Sequence, residues 1–356
     1  MTRDEDYAAC RAAIRVGSRT FHAASLLLPM RVREPALALY AFCREADDAI
    51  DGARDAAAAL VDLQRRLDAC YRGTPREHYA DRALADVVER HAIPRELPGA
   101  LLEGFAWDAS GRNYQDLSAL RAYAVRVAGT VGIMMSLLMG VRSARALARA
   151  ADLGVAMQLS NVARDVGEDL RLGRVYLPAE WLAAENIARD RLLAQPVFDA
   201  RVGRVVDRLV CEAESLYVRA ASGIVDLPPD CRPAIHAARL MYAEIGREVS
   251  RRSGDSISGR AVVSSSRKAV LLARALSDSV RGVGYGEWPV LPEARYLLDA
   301  VQKFDVARGH VPDELAGEGA LTRGLVTALA VLARLEQRDR LGAAGAPAVM
   351  PVPTGA

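Results

Sequence analysis

Apolar residues recur at steps of three and four along almost the whole chain, and strand-like alternation is scarce. That period belongs to amphipathic helices. It predicts helices near 4–16, 36–51, 56–71, 80–92, 97–110, 117–126, 128–140 and 143–170. More follow near 198–222, 231–252 and 266–280, with a further candidate at 320–338. Pro35 suits the first turn of its helix, and Gly52 suits the stop behind it. Aromatic residues make up only 5% of the chain, and Ala, Leu and Arg dominate, a usage that favours helix over sheet. Residues 1–280 therefore read as one large all-α domain. Residues 281–340, which open rich in Gly, Pro and charge, read as an appendage. Residues 341–356, "LGAAGAPAVMPVPTGA", lack both period and caps and read as a disordered tail.

Charge and cysteine usage narrow the function classes. Lys and Arg number 47 against 45 Asp and Glu, a net charge of +2. No basic field announces a nucleic-acid partner. Cys10, Cys43, Cys70, Cys211 and Cys231 form no C-x-x-C pair, which fits free thiols in a reducing compartment. The N-terminus carries no apolar signal-peptide core. The longest apolar run, "VAGTVGIMMSLLMGV" at 127–141, falls short of the roughly 20 residues that span a bilayer. A cytoplasmic protein is expected, at most peripheral to a membrane.

Two acidic clusters stand out against this balance. "YAFCREADDAID" (40–51) sets Asp47, Asp48 and Asp51 among Phe42, Ala46 and Ile50. Like charges at helical spacing repel by about 0.2–0.5 kcal/mol even on an exposed helix. "QLSNVARDVGEDLRLGRVYLP" (158–178) holds the second. At about 100° per residue, Gln158, Asn161, Asp165 and Asp169 fall within an arc of roughly 80°. Tyr40, Arg44, Asp47 and Asp51 share a face in the same way. Solvated acidic faces would give such runs too. The apolar flanks, and the lack of a Lys four residues on, point instead to hard oxygen ligands for Mg²⁺. Facing each other across a bundle, two such clusters could hold several ions.

Other chemistries fit poorly. His22, His78, His91, His236 and His310 make neither Glu-x-x-His nor His-Glu-x-x-His, so di-iron and zinc-protease sites are excluded. No EF-hand loop is present. "GVGYGE" (282–287) lacks the strand–turn–helix setting of a dinucleotide fingerprint. "GTVG" (129–132) is better read as small residues that let helices approach than as a phosphate cradle.

Together, "YAFCREADDAID" and "QLSNVARDVGEDLRLGRVYLP" resemble the paired aspartate signatures of the squalene/phytoene synthase family, its bacterial phytoene synthases most of all. The likeness continues in "GSRTFHAASLLLP" (17–29), "YAVRVAGTVGIMM" (123–135), "CRPAIHAARLMYAEI" (231–245) and "RAVVSSSRKAVLL" (260–272), spanning about residues 8–280. It implies an all-α isoprenoid-synthase fold around a central cavity, lined by residues 127–139 and the Leu26–Leu28 region. It also implies Mg²⁺-dependent head-to-head condensation of two prenyl diphosphates, with Mn²⁺ as substitute. Metal would bind Asp47 and Asp51 on the first signature and Asn161, Asp165 and Asp169 on the second. Diphosphate contacts would fall on Ser18, Arg19, Thr20, Arg44, Gln158 and Arg164, with Tyr40, Tyr242 and Arg260 nearby.

Ser160 stands where Thr is commoner in the family. "GFAWDAS" (104–110) follows the family pattern loosely and is assigned no catalytic role. Geranylgeranyl diphosphate is the expected substrate and phytoene the product. Ala24 and Ser25 leave the pocket floor open, where a bulky side chain would favour farnesyl diphosphate. Squalene-type synthesis from farnesyl diphosphate is the alternative, ahead of a catalytically dead scaffold or a non-catalytic metal-binding bundle. Both signatures are intact. Neutralising any of the four aspartates is expected to relieve repulsion, leaving the metal-free melting temperature unchanged or raised.

Overall fold

The computed structural model describes residues 3–17, 26–53, 55–281 and 286–308, excluding the side chains of 14–17 and 51. Among them there is no strand. The order begins α1 (Arg3–Gly17), α2 (Met30–Asp51), α3 (Ala56–Tyr71), α4 (Tyr79–Arg90), α5 (Glu96–Ala109) and α6 (Leu117–Ala124). A π-helical turn, Val125–Gly129, joins α6 to α7 (Thr130–Leu138). Next come the long α8 (Ala144–Arg171), the short α9 (Ala179–Ala184) and α10 (Arg189–Ala194), then α11 (Ala200–Ala221). The last are α12 (Arg232–Arg251), α13 (Ser265–Arg281) and α14 (Arg295–Arg308).

Helix α8 is the axis of the molecule. Ser143 caps it, its hydroxyl accepting from the Ala146 N–H at 3.3 Å, the role short polar residues play at helix starts. Helices α7, α11 and α12 pack around it. Its approach to α7 is backbone to backbone. A Cβ on Gly132 would lie 2.2 Å from the Ala150 carbonyl oxygen, and one on Gly154 would lie 2.2 Å from that of Ala128. The glycine of "GTVG" at 132 therefore serves helix packing, as the sequence suggested.

Three departures from the predicted elements have local causes. Helix α2 starts at Met30, with Pro29 at its cap and Pro35 inside it rather than in the first turn. The Val32 and Arg33 amides donate to the Pro29 carbonyl at 2.9 and 2.8 Å, so Pro29 takes the part expected of Pro35. The Arg33 guanidinium also donates to the Leu26 and Leu28 carbonyls, tying the approach to the helix. The predicted break near 127 is the π turn instead. There Thr130 Oγ1 donates to the Arg126 carbonyl at 2.6 Å, a bond that competes with the regular ladder. Helices α9 and α10 are too short for any period to reveal.

Past α13, Leu291, Ala294, Leu297, Leu298 and Val301 are buried in the same core as the rest. Helix α14 packs against α5 and α8. The candidate helix at 320–338 and the tail at 341–356 lie outside the described residues. No helix among the described residues is long and apolar enough to cross a membrane.

Candidate active site

A cavity of about 370 Å³ runs along α8, lined by its Ala146, Arg149, Leu153, Met157, Gln158 and Asn161. These positions recur at helical spacing, so one face of α8 forms one wall. Val131, Met135 and Met139 of the 127–139 stretch also line it, with Leu28, as the sequence reading expected. Helix α12 contributes Ile235, Met241 and Tyr242. Most of the wall is apolar. Its polar end holds Gln158, Asn161, Tyr40 and Tyr242, all four anticipated as site residues.

The acidic stripe continues along α8 from that end. Asp165 is clasped from two sides: Arg164 Nε donates to Oδ1 at 2.8 Å, and Arg260 Nε donates to the same oxygen at 2.8 Å. Burial alone would lower the Arg164 pKa, and the bond to Asp165 reverses this, leaving it raised. Arg260 comes from the 252–264 loop, which seats on α8 at Gly167. The Gly167 amide donates to the Ser256 carbonyl at 3.0 Å, and a Cβ there would lie 2.6 Å from the Ile257 carbonyl oxygen. Asp255 stiffens the loop by accepting from the Ile257 and Ser258 amides.

One turn on, Asp169 has its pKa pushed up to about 7, first by burial and then by the charge of Asp165, against the pull of Arg174. Asp108 adds to that negative field. It accepts from Tyr123 Oη at 2.6 Å and Tyr176 Oη at 2.7 Å. "GFAWDAS", given no role from sequence, thus sets a carboxylate beside the acidic stripe. Its tyrosine partners are 15 and 68 positions away, so only the fold reveals it. Ser160 proves to be a core residue. It is fully buried, and its Oγ pairs with Tyr217 Oη at 2.9 Å, off the stripe.

On α2, Arg44 is exposed and reaches Asp48 at 2.6 Å and Asp47 at 3.6 Å. The Asp51 side chain, Ser18, Arg19, Thr20 and Ser25 lie outside the described residues. Among those described, no three His, Cys, Asp or Glu side chains form a ready cluster for one ion. The donor chemistry nevertheless fits a hard divalent cation. Asn161, Asp165 and Asp169 offer oxygens on one helix face, and burial first, then the charge of Asp165, makes the Asp169 anion costly in a way that a bound cation would offset.

The comparisons agree with this geometry. The squalene/phytoene synthase family model matches residues 14–267. A phytoene synthase of Rhodobacter capsulatus is 54% identical over 308 residues, covering 84% of this chain and 91% of that one. A phytoene synthase of Cereibacter sphaeroides is 46% identical, covering 96% of both. Among solved structures, a dehydrosqualene synthase with bound ligand superposes at a TM-score of 0.71. It shares 32% identity and covers 77% of this chain and 96% of that one. The helical cavity, the acidic stripe and these likenesses lead to one assignment: the chain belongs to the squalene/phytoene synthase family of prenyltransferase-type enzymes.

Proposed function

We propose that the protein is a phytoene synthase joining two geranylgeranyl diphosphates head to head through a cyclopropylcarbinyl diphosphate. The observation that carries this reading is a long apolar cavity that opens at one end onto carboxylates and arginines. Its length supports the longer substrate. Asn161 and Arg149 are twelve residues apart along α8, roughly 18 Å at ~1.5 Å per residue. The sixteen bonds from the diphosphate oxygen to the terminus of a C20 chain span about 19 Å, at roughly 1.2 Å per bond for an extended chain. On the same count a C15 chain reaches only about 14 Å.

In the first half-reaction the C–O bond of one donor breaks and diphosphate leaves with the electron pair. The alkene of the other donor then attacks the allylic cation, and proton loss closes the cyclopropane. Arg164 and Arg260, at the mouth, supply fixed guanidinium donors to the leaving oxygens, which favours the charge-separated state. Val131, Met135, Leu153, Met157 and Met241 keep water from the cation along the wall. Tyr40 and Tyr242 add hydroxyl-bearing side chains to the cavity lining. Burial raises the pKa of Tyr242, which therefore stays protonated. Bound Mg²⁺, or Mn²⁺ in its place, on Asp47, Asp51, Asn161, Asp165 and Asp169 would neutralise diphosphate charge as a Lewis acid. In the second half-reaction the cyclopropylcarbinyl diphosphate ionises in turn, rearranges and loses a proton. No reductant is consumed. The setting is cytoplasmic carotenoid biosynthesis, with the greasy product released toward a membrane.

The test is direct. Purified protein is given Mg²⁺ and either farnesyl or geranylgeranyl diphosphate, with and without NADPH, and the hydrocarbon is identified by mass. A C40 product from the C20 donor, without NADPH, is expected. A C30 product from the C15 donor with the C20 donor ignored would overturn the reading.

A further inference from the structure

At the end of the cavity remote from the acids, the wall includes an arginine. Arg149 is only 3% exposed, yet it lines the apolar cavity beside Ala146, Gly223 and Ile224. Its head does not face the lumen without partners. Arg149 Nε lies 2.9 Å from Asp152 Oδ2, and its Nη2 donates to the Pro289 carbonyl at 3.2 Å. Arg219 reinforces both anchors, donating to Asp152 at 3.1 Å and to the Pro289 carbonyl at 2.6 Å. Two guanidiniums thus converge on one buried carboxylate and one carbonyl. The aliphatic stem of Arg149 is left as cavity wall, the division of labour a long cationic side chain permits. Gly223 leaves space for that stem. A Cβ at 223 would lie 2.3 Å from Arg149 Cβ and 2.5 Å from Cγ.

We propose that Arg149 is the chain-length stop of this enzyme, its stem meeting the terminus of the prenyl chain and its anchors fixing where that stop stands. Pro289 lies beyond the matched region of the family, which ends at 267. The segment after α13 therefore takes part in substrate selection through a backbone carbonyl. The inference rests on the reading of the cavity as a prenyl-chain pocket.

Two substitutions move the wall in opposite directions. Arg149→Ala withdraws the stem, and Asp152 keeps Arg219 as its partner. Gly223→Ala adds a methyl where the stem already stands, so either the methyl or the displaced stem fills space at that end. The measurement is kcat/KM for farnesyl, geranylgeranyl and geranylfarnesyl diphosphate in each variant, with melting temperature recorded alongside. Arg149→Ala is expected to raise the C25:C20 ratio by about tenfold, and Gly223→Ala to raise the C15:C20 ratio comparably, the scale on which a few methylenes discriminate in an apolar pocket. Arg149→Met keeps a stem of similar length and is expected to restore most of the wild-type preference. Because ratios decide, partial loss of stability leaves the result readable. Equal losses for all three donors, or ratios moving the same way in both alanine variants, would overturn the proposal. Wild-type protein that ignores the C20 donor would instead sink the function on which it rests.

Discussion

The two acidic helices carry similar sequences and meet opposite electrostatic fates. On α2, Asp47 and Asp48 are answered by Arg44, three and four residues back on the same helix, and Arg44 and Asp48 are exposed. On α8, Asp165 is largely buried and is answered by Arg164 beside it and by Arg260, 95 positions away. An exposed i,i+4 pair forms whenever the helix forms and is screened by water, so it contributes little. The Arg260 half of the clasp on α8 exists only when the 252–264 loop is seated. The charges of Asp47 and Asp48 are thus met within one helix, and that of Asp165 both within its helix and by an arginine that the tertiary fold delivers. The guanidiniums that clasp Asp165 are also the donors proposed for diphosphate.

The largest expected effect is catalytic and tests whether the two helices are equal partners in chemistry despite that contrast. Asp165→Asn and Asp169→Asn on α8, and Asp47→Asn on α2, should each lower kcat by about 10²–10³, the loss seen when one stabiliser of a developing anion is removed. Circular dichroism should show helix content unchanged. Excess EDTA should abolish turnover, and added Mg²⁺ should restore it. An Asp47→Asn enzyme with wild-type turnover would confine the chemistry to α8.

How much of this was legible from residues alone follows the range of the interactions. The helical period and the one-face stripe of Gln158, Asn161, Asp165 and Asp169 are local, and both were readable. So were Leu28 and residues 127–139 as cavity wall, through the family likeness. The clasp on Asp165 was not, because helix geometry cannot say which distant arginine arrives. Nor were Asp108 with its two tyrosines, or the arrival of Arg219 from α11 at the Arg149–Asp152 pair of α8, each of which needs contacts between distant segments. The core position of Ser160 follows from local geometry. The residue adjoins the stripe in sequence, but one step around the helix turns it by about 100°, into the core. Pro35 misled because two prolines could open α2, and Pro29 does.

The next effect probes the frame that holds the loop bearing Arg260. Glu244 of α12 is fully buried and accepts from Arg267 of α13 at 2.9 and 3.0 Å, and from Arg251 at 2.5 Å. The two arginines flank that loop. Burial alone would raise the Glu244 pKa, but the hydrogen bonds from Arg267 and Arg251 overcome it and hold the carboxyl at about 2. A depressed folded pKa contributes stability that is present above the unfolded value, about 4.3, and is lost as pH falls through 2. Each pH unit between the folded and unfolded values is worth about 1.4 kcal/mol, discounted because both arginines are half exposed. Glu244→Gln should therefore cost roughly 2 kcal/mol at pH 7. Urea melts repeated downward from pH 5 should show the gap to wild type closing. A gap independent of pH would assign the cost to packing.

A smaller effect separates two acids within α8 itself. Relief of repulsion predicts that every aspartate-to-asparagine variant melts at or above wild type in metal-free buffer. The structure corrects this for Asp165. Its removal leaves Arg164, largely buried, without its carboxylate, so Asp165→Asn should lose about 1–2 kcal/mol. Asp169, crowded by like charge, keeps the original expectation, and Asp169→Asn should melt at or above wild type. Identical shifts in calorimetry under EDTA would mean that the clasp on Asp165 adds nothing to stability.

The smallest effect returns to α2. Asp48 is more exposed than Asp47, with 58% of its side chain open and its partner Arg44 at 49%. Water and salt screen such a pair, and ordering two long side chains costs entropy that offsets the attraction. Asp48→Asn should then shift stability by less than about 0.5 kcal/mol, and 0.5 M NaCl should erase even that. It also removes a like charge adjacent to Asp47 in sequence, so the two consequences oppose each other. The informative measurement is a double-mutant cycle with Arg44→Gln, read by urea unfolding at low and high salt. A coupling energy near zero would show that the Arg44–Asp48 pair adds nothing to stability. A coupling above 1 kcal/mol that survives salt would make α2 resemble α8 and erase the contrast between the two helices.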